Sequence, residues 1–176
     1  MILGILSDTH GRFALAYKAA ELFASRGVSY FIHCGDVGDY SYDACRVLEA
    51  LLPLPGAFVF GNNDFDRRAL FDFAQTHNMT CLDYAGEISI AGKRIGVTHG
   101  DNRKRIATFI ESPVKAPDES PDRRVDYLFT GHTHQKHDLH VNGVRRVNPG
   151  ALFRAPRKTV ATLDLATDTL EFFVVV

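Results

Sequence analysis

A chain of 176 residues is long enough for one domain with a sizeable core, and 45% hydrophobic with 23% charged residues is ordinary for a folded protein. A net charge of −1 supplies no global basic field for nucleic acid or acidic membranes. Three scattered cysteines (Cys34, Cys45, Cys81) with no C-x-x-C argue against a disulfide framework and fit a reducing compartment.

The opening Met1-Ile2-Leu3-Gly4-Ile5-Leu6 has no basic flank and runs straight into Asp8, so it does not read as a signal peptide. No apolar run approaches the ~20 residues of a membrane helix. The expectation is a soluble, cytoplasmic protein forming a single domain over residues 1–176.

Ile2 to Leu6 is a short apolar run and predicts a strand buried on both faces. After the loop Ser7-Asp8-Thr9-His10-Gly11 the period becomes helical from Arg12 to Arg26, with Phe13, Tyr17, Ala20 and Ala24 on one face and Gly27 as the stop. Val28 to His33 predicts a second strand, ending in Cys34-Gly35-Asp36. Ser41 is placed to cap a helix reaching Leu52, with Tyr42, Cys45, Leu48 and Leu52 inward. Ala57 to Phe60 predicts a third strand, ending in Gly61-Asn62-Asn63-Asp64, and a third helix follows from about Phe65 to His77. Strands alternating with helices predict βαβ units and a parallel sheet, whose ligands bind beyond the carboxyl ends of the strands.

The second half reads as hairpins. Glu87–Ile90 and Arg94–Val97 pair across Ala91-Gly92-Lys93 and lead into Thr98-His99-Gly100-Asp101. A short helix from Arg103 to Glu111 precedes a proline-rich surface loop, 112–122. Val125 to Phe129 predicts a strand that ends in Thr130-Gly131-His132-Thr133-His134. Two further hairpins, 137–147 across Asn142-Gly143 and 159–176 across 166–168, close the chain.

Five strand ends therefore carry polar side chains beside a glycine: Asp8 with His10, Asp36, Asn62, His99, and His132 with His134. Residues i and i+2 of an extended chain point to one side, so each H-x-H or D-x-H pair can reach one place. Imidazole is the commonest metal-binding side chain. Packing alone gives no reason for five successive strand ends to hold metal-compatible groups. Seven ligands exceed one tetrahedral site and suit two metals roughly 3.5–4 Å apart sharing a carboxylate. Imidazole with carboxylate and amide oxygen suits Mn, Fe, Zn, Co or Ni, and with no thiolate nothing selects sharply among them; two divalent ions are expected, manganese taken first. Two such ions against two aspartates and a hydroxide leave a positive centre, which favours phosphate.

In residues, order and spacing, the set Asp8-x-His10, Gly35-Asp36, Gly61-Asn62-x-Asp64, His99 and Gly131-His132-x-His134 resembles the calcineurin-like metallophosphoesterase superfamily. The small size and the tail with Asn148-Pro149-Gly150 are similar to its compact bacterial and archaeal phosphodiesterase branch. The resemblance implies an α/β fold, a four-layer αββα sandwich of two mixed β-sheets flanked by helices. It implies that Asp8, His10 and His134 hold one metal, that Asn62, His99 and His132 hold the other, and that Asp36 bridges them. It further implies a phosphodiesterase in which a bridging hydroxide attacks phosphorus in line. A fold-sharing scaffold module and a nuclease are the rival expectations.

The family's usual Gly-Asn-His-Asp has a histidine as proton donor to the leaving group, and this chain has Asn63 there. An amide is no general acid near neutral pH, though it can hydrogen-bond a phosphoryl oxygen. Asn63 and Asp64 are the candidate catalytic residues; Asp64 either partners position 63 or caps the following helix. Arg12, Asn63 and Arg103 are the candidate substrate contacts. His33 is expected to support ligands rather than bind metal, and Cys34 to be buried. The expected partner is a small phosphorylated substrate, a nucleotide included. No membrane and no nucleic acid is expected, and a homodimer or higher homo-oligomer is left open.

Overall fold

The computed structural model describes residues 1–39, 44–111 and 124–176. Ser41 and Tyr42, and the proline-rich loop at 112–122, lie outside the described residues.

Two mixed sheets form the centre. The first contains β1 (Ile2–Leu6), β2 (Val28–His33), β3 (Gly56–Phe58), β4 (Thr80–Cys81), β10 (Thr159–Asp164) and β11 (Thr169–Val174), in the order β11-β10-β1-β2-β3-β4. Strands β1 to β4 run parallel; β10 is antiparallel to β1, and β11, antiparallel to β10, runs in the direction of β1 again. The second contains β5 (Ala85–Ile90), β6 (Lys93–Thr98), β7 (Tyr127–Phe129), β8 (His137–Val141) and β9 (Val144–Asn148), in the order β5-β6-β7-β9-β8. Its inner strands β6, β7 and β9 are parallel.

Strand alternation sorts the apolar residues into layers. Leu3, Ile5 and Ile32 face Ile95, Val97 and Phe129 between the two sheets. Leu6, Phe31 and Phe58 point the other way, into helices α1 (Phe13–Ser25), α2 (Ala44–Leu51) and α3 (Arg67–Thr76). Leu128 and Val144, on the far side of the second sheet, take Ile106, Phe109 and Ile110 of α4 (Arg103–Ile110). The result is helix, sheet, sheet, helix: the expected four-layer sandwich.

Several predicted details differ. In α1 the buried face is Ala16, Ala19, Ala20 and Phe23, while Tyr17 is 57% exposed. Three small residues allow close packing, and a Cβ on Gly4 would lie 2.7 Å from the Phe23 ring, so the sheet must be bare where that ring rests. In α2 the inward residues are Val47, Leu48 and Leu51, and Leu52 turns outward. Strand β3 stops at Phe58, and β7 starts only at Tyr127. Just before β7, the Asp126 backbone N–H donates to the Arg94 carbonyl at 2.8 Å while its carboxylate accepts from the Arg94 N–H at 2.7 Å. The two-residue β4 is too short to show any period. Asp66, not Asp64, caps α3, accepting from the Ala69 N–H at 3.0 Å.

Candidate metal centre

Because β1, β2 and β3 of one sheet and β6 and β7 of the other end on the same side, their following loops meet. Asp8 and His10 follow β1, Asp36 follows β2, Asn62 and Asn63 follow β3, His99 follows β6, and His132 with His134 follow β7. Asp8, His10, Asp36, His132 and His134 all take left-handed backbone angles, φ from 46 to 68°. Such conformations cost of order 1–3 kcal/mol each and cluster where function over-determines geometry. Here they turn consecutive loops inward at the strand ends.

The side chains converge. The Nε2 of His134 lies 3.1 Å from Asp8 Oδ1. Asp36 Oδ2 lies 3.5 Å from His10 Nε2 and 3.3 Å from His99 Nε2. Donor atoms of Asp8, His10 and His134 fall within 4.8 Å of one another, and so do those of Asp8, Asp36 and His99. Asp8 Oδ1, His10 Nε2 and His99 Nε2 are buried without a hydrogen-bond partner. Buried polar atoms left unpaired are costly. Three of them aimed at one place fit a cation.

The surroundings fix which atoms face the centre. His99 Nδ1 donates to the Cys34 carbonyl at 2.8 Å, leaving Nε2 inward. The Arg154 carbonyl engages the His134 ring, whose Nε2 faces Asp8 Oδ1. This is how metal-binding imidazoles are usually oriented. The His132 backbone N–H donates to Asp8 Oδ2 at 3.0 Å, and its ring stands edge-on to His99 with centroids 5.1 Å apart. Burial disfavours a charge on His99, but Asp36 and then Asp8 override it and raise its pKa to about 9. Burial likewise pushes Asp36 up, yet His99 and Asn63 hold its carboxyl well below the usual range. Burial lowers His10.

Glycine is required at two of the turns. A Cβ on Gly61 would overlap Asp36, and one on Gly131 would overlap Ser7 and press on Asp8 Oδ2.

Of the remaining candidates, Asn63 donates to both oxygens of Asp36, while Asn62 is exposed. Asp64 is 1% exposed and accepts from the Gly38 and Gly61 N–H groups at 2.7 Å each. It binds the two loops together and does not cap the helix. Arg103 opens α4 on the surface. His33 does not face the centre. Its Nε2 lies 2.7 Å from Thr9 Oγ1, between Asp8 and His10, and burial lowers its pKa to about 3, so it stays neutral. Burial raises the Cys34 thiol, which stays protonated and away from metal chemistry.

Sequence reasoning missed Phe153 and Arg154. The Phe153 ring lies 5.1 Å from that of His10, and Arg12 and Arg154 place their guanidiniums 4.5 and 5.0 Å from its centroid. The nearby Asn148-Pro149-Gly150 was the available signal. Buried Asn148 donates to the Gly131 carbonyl at 2.7 Å and accepts from the Gly150 N–H, tying this segment to the histidine turn.

Residues 1–168 match the model of the calcineurin-like phosphoesterase superfamily domain. The chain is 28% identical over 153 residues to the phosphodiesterase MJ0936 of Methanocaldococcus jannaschii, covering 85% of this chain and 83% of that one. An archaeal phosphodiesterase structure superposes with a TM-score of 0.82 at 27% identity, over 99% of each chain. The phosphoesterase YfcE of E. coli (TM-score 0.65, 20% identity, 100% of both chains) shares the fold. So does Vps29 of Entamoeba histolytica with zinc (0.61, 19%, 100% of this chain and 93% of that one). With matching strand-end residues converging in one buried cluster, the chain belongs to the calcineurin-like phosphoesterase superfamily and is a hydrolase of phosphoric esters.

Proposed function

We propose that this protein is a binuclear metal-dependent phosphodiesterase that cleaves a phosphodiester or phosphoanhydride by in-line attack of water at phosphorus. The observation that carries this reading is the set of buried, unpartnered donors on Asp8, His10 and His99. Asp8, His10 and His134 would hold one divalent ion, and His99 and His132, with Asn62, the other. Asp36 stands between them, close to one histidine of each group. Asn62 is the ligand that geometry supports least, since it is exposed. With no thiolate among the donors, nothing selects sharply among manganese, Fe, Zn, Ni and Co, of which manganese is the expected ion. Bound there, the ions would lower the pKa of a water molecule and offset charge on the phosphoryl oxygens.

The chain's own residues supply positioning. Asn63 and His99 keep Asp36 ionised. Asp64 fixes the loops that bear Asp36 and Asn63. The Asn63 amide cannot protonate a leaving group, which favours substrates whose leaving group departs as a stable anion, as an aryl oxide or a phosphate does. A small phosphorylated compound, nucleotides included, meets that condition.

The test compares bis-p-nitrophenyl phosphate with p-nitrophenyl phosphate across added Mn, Ni, Co, Zn and Mg, with His132→Ala as control. Metal-dependent turnover that prefers the diester and collapses in the variant is expected. The absence of metal-dependent turnover of either ester would overturn the proposal.

A further inference from the structure

Beside the centre, Phe153 joins the ring of His10 to two guanidiniums. Both arginines are exposed, and among the described residues no carboxylate pairs with either. They are nevertheless held. The Arg12 backbone donates to the Thr9 carbonyl at 2.9 Å within the first metal-binding loop. Arg154 has a left-handed φ of 49°, and its carbonyl engages the His134 ring. A flexible, solvated arginine needs neither an aromatic seat nor a strained backbone. Two cations fixed on one ring, against a metal-binding histidine, form a prepared anion subsite.

From these contacts we propose that Arg12, Phe153 and Arg154 form a subsite for a second phosphoryl group of the substrate, set off from the reacting phosphorus by the Phe153 ring. The proposal rests on the phosphodiesterase reading and narrows its substrate to a compound with a non-reacting phosphate near the scissile one. Two planar forks suit a phosphate dianion better than a single carboxylate, because each fork can pair two oxygens. Phe153 is a positioning residue: it sets the guanidiniums and takes no part in the reaction. The metal centre would hold the scissile group, and the arginines would hold the second.

The experiment measures binding and turnover separately. Binding is read by calorimetry on the Mn-loaded full chain with thymidine 5′-phosphate and thymidine 3′,5′-bisphosphate, which differ by one phosphate. The wild type should bind the bisphosphate about tenfold or more tightly, and Arg12→Ala/Arg154→Ala should abolish that ratio. Arg12→Lys/Arg154→Lys should restore only part of it, since a point charge does not reproduce the fork. Phe153→Leu, which keeps the bulk but removes the ring, should also lower the ratio. Turnover is read with the p-nitrophenyl 5′-ester of thymidine, with and without a 3′-phosphate, and the preference should appear in KM rather than kcat. If the wild type shows no preference, or the double alanine variant keeps it, the subsite is overturned. If neither ester is cleaved but the binding preference is present and arginine-dependent, the subsite stands and the phosphodiesterase reading fails.

Discussion

Asn63 grips Asp36 at both oxygens, its backbone N–H on Oδ1 and its side-chain amide on Oδ2, each at 2.8 Å. The residue that occupies the usual proton-donor position thus works on a carboxylate of the centre. Asn63→Ala keeps the backbone bond and removes the other. We expect a 10- to 100-fold loss of metal affinity or turnover, roughly the effect of removing an orienting partner. Metal titration and kcat measured together will test it, and an unaltered affinity with unaltered turnover would refute it. The same absence of an acid predicts a steep dependence of rate on leaving-group pKa across substituted aryl diesters, with alkyl phosphomonoesters the poorest substrates.

His132 and His134 are neighbours in sequence but face different partners. His134 lies against Asp8, whereas the His132 ring lies against His99. His134→Ala and His132→Ala should each leave about one ion per chain instead of two, measured by elemental analysis after gel filtration. The retained ions should differ in affinity. Identical affinities in the two variants would mean that both histidines serve one ion.

Asp64 offers a test through pH. Burial pushes its pKa up to about 6 from 3.8, overcoming the N–H groups of Gly38 and Gly61. A carboxyl whose folded pKa is raised holds its proton more tightly in the folded state. Its stabilising share is full below about pH 4 and is lost as pH rises through about 6, a swing of up to about 3 kcal/mol. In metal-free protein, the Tm advantage of the wild type over Asp64→Asn should therefore shrink between pH 4 and 7. A difference that stays flat over that range would show Asp64 ionising as an ordinary surface carboxylate does.

Phe23 and bare Gly4 make one packing unit. Phe23→Ala should cost about 3–5 kcal/mol, lowering Tm by roughly 10 °C. Gly4→Ala should cost about 1–3 kcal/mol by overpacking. Combined, they should cost less than the sum, because the new methyl group enters the space the ring leaves. Strict additivity in thermal melts would contradict this.

Alternation of strand and helix made the first sheet legible, and the hairpin turns made most of the second. The candidate metal ligands were legible as a set because each of the five strand ends that carry them also holds a glycine, where backbone constraint and ligand chemistry coincide. The buried face of α1 was not: in a helix rich in Ala, Leu, Phe and Tyr several faces are apolar, and the partner decides. Tyr17 looked inward by period, but Gly4 selects Phe23. Phe153 and Arg154 escaped because their meaning comes from His10 and His134, which are far from them in the chain. The exchange of roles between Asp64 and Asp66 turned on two residues of loop length, which no period records.

Asp8 ends a strand of one sheet, yet its carboxylate is held by the backbone of His132 and the ring of His134, which follow a strand of the other. The centre is thus also a rivet across the sandwich. Any ion gripped by Asp8 and His134 resists sliding of one sheet over the other, and its binding energy becomes mechanical strength in the body of the protein. Removing it should loosen the seam at this rim first, where β1 and β7 end, and a catalyst starved of metal would register the loss as a softer molecule before it registered it as a slower one.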